Sequence, residues 1–344
     1  MGNCQTTTAA LKKADDISVT AANNARDGNG SCRNNKQPPD NIKITESCIP
    51  SSIENDTFQI PIKIFTPIIN RPPLAIVFFI HGGIFALGDR DSHPTISQAL
   101  CQQLKLIVVT ASFRNGEEAP HESNVTIRDL NDVMDYCLRT YTDIPFGLVG
   151  SSSGGFFAIH LSQTTTSTKQ KQIAFCIPIC PVADPFKRAS YLRSSISGSA
   201  KSSASDNNGG GLTYNAVHTP EKSKFILEKQ LSFFKSDECM LEARESTKSN
   251  IRDVPTLLII GSADKNVPFD VTNEVQGWAT RTVVIGGKGH ELCDEIDVND
   301  GGGYDSYLPD IERFLGYCLH RGDLRLRRAR MVLAVIYNTK RQQV

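Results

Sequence analysis

Residues 145–164 read PFGLVGSSSGGFFAIHLSQT, and three patterns follow one another within this stretch. The run PFGLVG is short and apolar, which is typical of a strand covered on both faces. The run FFAIHLS is apolar at the spacing of a helix. Between them lies GxSxG, with Ser152 at its centre. The order predicts that Ser152 stands in a tight turn where a buried strand ends and a helix begins.

The same alternation of apolar runs and helical stretches extends on both sides of this segment. Unbroken apolar runs of this length predict strands buried on both faces of a parallel sheet, and the intervening stretches have helical spacing. The chain is therefore expected to adopt an α/β fold with a mostly parallel central sheet flanked by helices. The further runs are LAIVFFI (74–80), LIVVTASF (106–113), IAFCIPIC (173–180), TLLIIGS (256–262) and TVVIGG (282–287), and the helical stretches are 94–104, 125–140, 155–164, 270–280 and 304–320.

The two ends of the chain differ from this pattern. Residues 1–45 are polar and rich in Asn, Thr and Ser, so we expect a flexible leader, with the first strand beginning near Phe58 in FQIPIKIF. Residues 321–344 carry seven Lys or Arg and one Asp, and predict a basic tail, either solvated or bound to a partner or membrane surface. The folded α/β domain is accordingly placed at residues 46–320.

An insertion interrupts the alternation inside that domain. Residues 194–211, SSISGSAKSSASDNNGGG, are of low complexity, and a helical stretch at 221–246 follows them. In open α/β sheets such insertions lie over the carboxyl ends of the strands, where ligands bind. We therefore expect the 186–250 region to form a small cap over the site.

The composition limits the classes of function. The chain has 344 residues, 39% hydrophobic, with 37 Lys and Arg against 37 Asp and Glu. This favours a globular protein over a disordered or polytopic membrane protein, and the zero net charge gives no sign of a nucleic-acid partner. The ten cysteines include no CxxC pair and no zinc-like spacing with histidine. We expect free thiols, a cytoplasmic protein, and neither a metal nor a cofactor.

Ser152 has the context of a nucleophile. GxSxG between a buried strand and a helix is the nucleophile-elbow motif, in which a strained backbone exposes the serine hydroxyl above the sheet. Glycines on both sides remove side chains that would collide with neighbouring backbone. A Gly/Ser turn without chemistry is the alternative reading of the motif alone.

A serine hydroxyl needs a base and an orienting acid to act as a nucleophile. Downstream, Asp264 follows the run TLLIIGS, and His290 follows the next run, TVVIGG. Both positions lie at the carboxyl edge of the predicted sheet, as Ser152 does. The sequence therefore predicts a Ser152–Asp264–His290 triad. His290 must be neutral to accept the serine proton, so activity should rise with pH through a group whose pKa is ~6.5.

A third loop is expected at the same edge. His81-Gly82-Gly83 directly follows LAIVFFI. Glycines let the backbone N–H groups approach a substrate carbonyl, and such donors stabilise the oxyanion of acyl transfer. We expect the N–H groups of Gly82, Gly83 and Ser153 to form the oxyanion hole.

Four segments in this order resemble the fold-3, hormone-sensitive-lipase-like family of α/β-hydrolases, in its acetyl-esterase-type branch. They are LAIVFFIHGGIFALGDRDSH, VVTASFRNGEEAPHESNVTIRDLNDVMDYC, GSSSGGFFAIHL and PTLLIIGSADKNVP with GGKGHEL, within about residues 58–320. The resemblance implies carboxylic-ester hydrolysis through an acyl-enzyme by the triad named above. HGGI stands where the family has HGGG, and SFRNGEEAP departs from the family pattern, so the loop near Arg114 is expected to be reshaped.

The amino terminus carries a separate motif. Met-Gly-Asn-Cys-Gln-Thr fits M-G-x-x-x-[ST], with Gly2 as acceptor for myristate. One acyl chain binds membranes reversibly, and Cys4 is positioned to add a palmitoyl chain. We expect peripheral attachment to the cytosolic face of a membrane. The alternative is a leader that matches the motif by coincidence.

Two other functions remain open at this stage. One is a peptidase or amidase of the same fold, and the other is a ligand receptor that performs no hydrolysis. The intact set of Ser152, Asp264 and His290 favours a small-molecule esterase.

Overall fold

The computed structural model of the chain describes residues 41–116, 123–165, 172–197, 219–248, 254–293 and 303–319. The proposed leader up to residue 40, with Gly2 and Cys4, lies outside the described residues, as do the basic tail and residues 198–218 of the low-complexity insertion. Among the helices described, none combines the length and the apolar character needed to cross a bilayer.

The described strands form one eight-stranded sheet in the order β1-β2-β4-β3-β5-β6-β7-β8. The first two strands run antiparallel to their neighbours, and the pairs from β4 to β8 are parallel. The predicted α/β fold with a mostly parallel sheet is thereby confirmed. The strands are β1 Ile42–Pro50, β2 Gln59–Pro67, β3 Ile76–Ile80, β4 Ile107–Ala111, β5 Phe146–Ser151, β6 Ile173–Ile179, β7 Leu257–Gly261 and β8 Arg281–Ile285.

Helices cover the sheet and explain the unbroken apolar runs. Every residue of β3, β4, β5 and β7 is buried, because helices pack on both faces of the sheet. In the part of the chain that the structure describes, the α-helices are α1 Pro94–Leu104, α2 Ser123–Thr140, α3 Ser153–Thr164, α4 Pro185–Ile196, α5 Pro220–Phe234, α6 Asp237–Glu245, α7 Asn273–Trp278 and α8 Leu308–Leu319.

The folded region begins earlier than the sequence predicted. The composition predicts a domain boundary at residue 46 and a first strand near Phe58, whereas β1 begins at Ile42 and pairs with β2 along its whole length. The strand lacks an apolar pattern in the sequence, because only Ile42 and Ile49 are buried and most of the residues between them are polar or exposed. As an edge strand it is stabilised by backbone hydrogen bonds more than by its own side chains.

The helical stretch predicted at 221–246 is two helices. Lys235 has a left-handed φ of 67°, which ends α5. The side chain of Ser236 then accepts a hydrogen bond from the backbone N–H of Cys239 at 3.3 Å, and so caps α6. The apolar periodicity continues across the break, which is why the sequence suggested one helix.

An aromatic cluster joins the cap region to the loop after β3. The ring of Phe85 packs against four others, with centroid separations of 4.8–5.6 Å. Its partners are Phe156 and Phe157 of α3 and Phe233 and Phe234 of α5. The loop, the helix after Ser152 and the cap helix therefore share one packed core.

Arg114 connects three segments next to the loop that is expected to be reshaped. Its guanidinium forms an ion pair with Asp129 of α2 at 2.7 Å and one with Asp56 of the β1–β2 loop at 2.6 Å. Residues 117–122 of the expected reshaped loop lie outside the described residues. The contacts described give Arg114 a structural role.

Candidate active site

Ser152 occupies the strained turn that the sequence predicted. It lies between β5 and α3 with φ 54° and ψ −119°, a conformation that costs a non-glycine residue about 1–3 kcal/mol. The neighbouring glycines make the turn possible. A Cβ atom on Gly150 would lie 2.2 Å from the carbonyl oxygen of Gly154, and one on Gly154 would lie 2.1 Å from that of Ile80. The turn therefore presents the Ser152 hydroxyl above the edge of the sheet.

The structure brings together the serine, histidine and acid predicted from three separate loops. The Nε2 atom of His290 lies 3.0 Å from Ser152 Oγ, and its Nδ1 atom lies 2.8 Å from Asp264 Oδ2. The other carboxylate oxygen of Asp264 accepts two backbone hydrogen bonds, from Asn266 and Val267, at 2.8 Å each. The carboxylate is thus fixed by its own turn, and the imidazole is aligned between it and the serine.

The electrostatics of the pair favour a charged imidazolium. Burial lowers the pKa of His290, but the charge of Asp264, the neighbouring Cys293 and the hydrogen bond to Asp264 outweigh that effect and raise the pKa to about 9. Burial likewise tends to raise the pKa of Asp264, whereas His290 and the two backbone N–H groups lower it below its ordinary value. The acid therefore stays ionised beside the base.

Two of the three expected oxyanion donors are available. The backbone N–H groups of Gly83 and Ser153 have no hydrogen-bond partner among the described residues. The N–H of Gly82 instead donates to His93 Nε2 at 3.2 Å. Gly82 lines the cavity, but in this structure its donor is already occupied.

His93 is a residue of the site that the sequence reasoning missed. It lies just before α1, and its Nε2 atom also lies 3.3 Å from Ser151 Oγ. Burial, which penalises the charged form, lowers the pKa of His93 to about 4, so the ring is neutral and its Nε2 can accept hydrogen bonds. No spacing rule links a residue at a helix start to a glycine eleven positions earlier.

A cavity of about 400 Å³ opens over Ser152 and His290. Residues of the loop after β3 and of α5 line it, so α5 of the expected cap region contributes one wall. Its apolar lining comes from Ile84, Leu87, Phe225 and Ile226, and its arginine and lysine side chains are Arg188 and Lys222. No Asp or Glu is among the described residues that line it.

Two thiols lie close to the histidine. Cys180, His290 and Cys293 each offer one ligand atom, and these atoms lie within 4.8 Å of one another. Sequence spacing did not reveal the group, because Cys180 follows β6 and is 110 positions from His290 (290 − 180). Thiol and imidazole groups bind thiophilic metal ions. Both ring nitrogens already contact Asp264 and Ser152, so an ion bound there would break those contacts. None of the eight cysteines within the described residues forms a disulfide.

Comparison with known proteins finds similarity over part of the chain. The model of a family described as alpha/beta hydrolase fold matches residues 77–225. The protein named Carboxylesterase NlhH, from Mycobacterium tuberculosis, is 27% identical over 112 residues. That match covers 32% of this chain and 34% of the mycobacterial protein, so the chain matches about a third of that relative's length.

Solved structures show the same fold at low identity. Carboxyl esterase 2 of Tuber melanosporum has a TM-score of 0.61 at 14% identity, covering 85% of this chain and 91% of that one. The hyperthermophilic esterase of Pyrobaculum calidifontis has a TM-score of 0.59 at 17% identity, covering 80% and 84%. Brefeldin A esterase, described as a bacterial homologue of human hormone-sensitive lipase, has a TM-score of 0.59 at 14% identity, covering 83% and 79%. The segment matched by the family model spans the loop after β3, the elbow and the start of the cap, so this part of the chain is similar to the α/β-hydrolase fold family, and the solved structures show the same fold.

Proposed function

We propose that this chain is a serine carboxylic-ester hydrolase that acts through an acyl-enzyme on small or medium acyl esters. The observation that carries the proposal is the continuous hydrogen-bonded line from Asp264 through His290 to Ser152, at 2.8 and 3.0 Å. Both distances are within the reach that nucleophilic catalysis requires. The cavity of about 400 Å³ over the serine is of a size for small organic ligands.

The proposed reaction has two halves. Ser152 Oγ attacks the ester carbonyl while its proton passes to His290 Nε2, and Asp264 stabilises the imidazolium that forms. His290 then gives this proton to the departing alcohol, which leaves an acyl group on Ser152. In the second half, His290 takes a proton from water, the hydroxide attacks the acyl carbonyl, and the proton returns to Ser152.

The oxyanion is assigned to the backbone N–H groups of Gly83 and Ser153. Neither has another partner among the described residues. Gly82, which the sequence suggested for the same role, donates to His93, so we assign it to shaping the loop. Removal of one oxyanion donor typically costs on the order of 10²–10³ in kcat, so two donors are a substantial contribution.

The relatives support an ester substrate over an amide. The curated relative and the solved neighbours quoted above are named as esterases. A peptidase or amidase of the same fold remains the alternative enzyme, and a receptor without turnover is the alternative outside catalysis. The aligned triad favours turnover, because binding alone requires no base hydrogen-bonded to the serine.

A fluorophosphonate probe tests the nucleophile directly. We expect covalent labelling of the wild type at Ser152, retention of the label in Ser151→Ala and Ser153→Ala, and its loss in Ser152→Ala. A panel of p-nitrophenyl esters from acetate to palmitate then measures the acyl-chain preference. An unlabelled wild type would favour the receptor.

For location, we propose lipid attachment at Gly2 and Cys4 on the cytosolic face of a membrane. This proposal depends on the sequence motif alone, since both residues lie outside the described part of the chain. The catalytic domain would then work on esters delivered near the membrane surface.

A further inference from the structure

Arg188 is a buried cation at the wall of the cavity. It lies in the first turn of α4 with only 2% of its surface exposed. Its Nε atom donates to the carbonyl of Asn266 at 3.0 Å, and its Nη1 atom donates to Gln230 Oε1 at 3.3 Å. Both acceptors are neutral groups. The third nitrogen, Nη2, has no hydrogen-bond partner among the described residues.

This charge has no carboxylate partner in the part of the chain that the structure describes. Burial lowers the pKa of Arg188 to about 10, so the guanidinium remains charged at neutral pH. The acid that acts on it electrostatically is Asp264, whose carboxylate is hydrogen-bonded to His290. A buried charge without a paired counter-charge is unfavourable, and it creates a strong preference for an anion.

A second cation stands at the rim of the same cavity. Lys222 is exposed, lies in the first turn of α5, and forms no ion pair with any described residue. Arg188 and Lys222 both line the cavity that contains Ser152 and His290, and its described lining has no acidic side chain. The field in the cavity is therefore positive on the cap side, beside apolar surface from Phe225 and Ile226.

We propose that the cavity selects esters that carry a carboxylate, such as half-esters of short dicarboxylic acids. The carboxylate binds the free Nη2 edge of Arg188, and Lys222 attracts it at the entrance. This inference rests on the proposed esterase function and names its substrate class. A guanidinium suits this role because its planar donors match the geometry of a carboxylate.

Two matched substrate pairs test the proposal and locate the carboxylate. Monomethyl succinate and methyl butyrate differ by a carboxylate on the acyl side. 4-Acetoxybutanoate and butyl acetate differ by a carboxylate on the alcohol side. Acid release measured by pH-stat gives kcat/KM for each ester, and each pair gives a preference ratio for the charged member.

We expect the wild type to prefer the charged ester in at least one pair. In Arg188→Gln that ratio should fall about 10- to 100-fold, since a charge-assisted hydrogen bond is lost. Arg188→Lys keeps a cation and should retain part of the preference.

Lys222→Gln should lower the ratio about two- to threefold and weaken its dependence on salt. Lys224→Gln is the matched control, because Lys224 is exposed on the same helix and does not line the cavity.

The outcomes separate this inference from the proposed function. If the preference ratios of the wild type and Arg188→Gln are equal, with both esters slowed alike, Arg188 only stabilises the turn at Asn266 and the inference is overturned. Absence of both turnover and fluorophosphonate labelling would refute the esterase itself. In that case calorimetric binding of monomethyl succinate to Ser152→Ala, with and without Arg188→Gln, still decides whether the carboxylate site exists. Binding that is indifferent to Arg188 would overturn it.

Discussion

The imidazole of His93 accepts a hydrogen bond from the backbone N–H of Gly82, at 3.2 Å. This contact joins the start of α1 to the loop that carries the proposed oxyanion donor, Gly83. The half-buried ring is neutral at neutral pH, because its pKa is lowered to about 4, so Nε2 stays available as the acceptor of this hydrogen bond. His93 therefore acts as a positioning residue for the loop, one step away from the reacting atoms.

Loss of this contact should slow turnover. His93→Ala removes the acceptor for Gly82, and we expect kcat to fall about tenfold because a small displacement of a donor weakens transition-state stabilisation. His93→Gln offers an amide oxygen in place of Nε2 and should recover part of the rate. Steady-state kinetics on p-nitrophenyl acetate measures both. A rise in kcat for His93→Ala would mean instead that Gly82 is an oxyanion donor that His93 withholds.

Removal of the proposed nucleophile should abolish the proposed ester hydrolysis. We expect Ser152→Ala to lose on the order of 10⁴–10⁶ in kcat, as triad serines do. Its thermal unfolding should remain close to that of the wild type, since only one oxygen is lost. Ser232→Ala, on the cap helix, serves as the control for a serine outside the cavity. Ester turnover in Ser152→Ala within tenfold of the wild type would place the nucleophile elsewhere.

The pH dependence of kcat/KM should report His290. The base must be neutral to accept the serine proton, so activity rises as the pH rises through its pKa. The ordinary pKa of a histidine is ~6.5, whereas Asp264 and Cys293 raise that of His290 to about 9, so the acid limb should move to correspondingly higher pH. Asp264→Asn removes the negative charge and should shift the limb back toward lower pH, with a lower maximum rate. If the acid limb of the wild-type pH profile is centred at or below pH 6.5, the effect of Asp264 on the pKa of His290 is contradicted.

The aromatic cluster should be a large source of stability. Phe85 is fully buried among four phenylalanine rings, so Phe85→Ala should lower the free energy of unfolding by about 3–5 kcal/mol. Denaturation by urea measures the change. Phe225→Ala removes the same group from a position that is 46% exposed and should cost much less. Similar losses for the two variants would show that the cluster is not a unit of packing.

Lipid attachment remains a prediction from the motif and has its own test. In a eukaryotic cell with N-myristoyltransferase, Gly2→Ala should move the protein from the membrane fraction to the soluble one. Cys4→Ser should leave it weakly bound, because a single myristoyl chain anchors reversibly. Immunoblots of fractionated lysates compare the three proteins. Identical partitioning of the wild type and Gly2→Ala would make the motif a coincidence.

The parallel strands and the proposed triad were predictable from the sequence because each has a local signal. Unbroken apolar runs reveal buried strands, and Asp264 and His290 each follow such a run in the order that brings them to the serine. The geometry confirms that the three side chains meet, while their catalytic role stays a proposal.

What the sequence did not reveal depends on contacts between distant segments. β1 is stabilised by pairing with β2, so its own pattern is weak. Arg188 stands next to Lys187 and looks like part of a solvated basic turn, yet it is buried under Gln230 and Asn266. The identity of a residue does not tell which distant side chains will pack over it. Only the tertiary structure shows that Arg188 is buried while its neighbour Lys187 is partly exposed.

The packing of Phe85 against α5 has a consequence for recombination among related enzymes. The helix α5 forms one wall of the cavity. Its residues Phe233 and Phe234 pack against Phe85, which belongs to a loop more than a hundred positions earlier in the chain. A chimaera that received another enzyme's cap would leave Phe85 facing side chains of the wrong size, and either a void or a clash would follow. Transfer of substrate preference between such enzymes therefore requires the cap and residue 85 to be exchanged together.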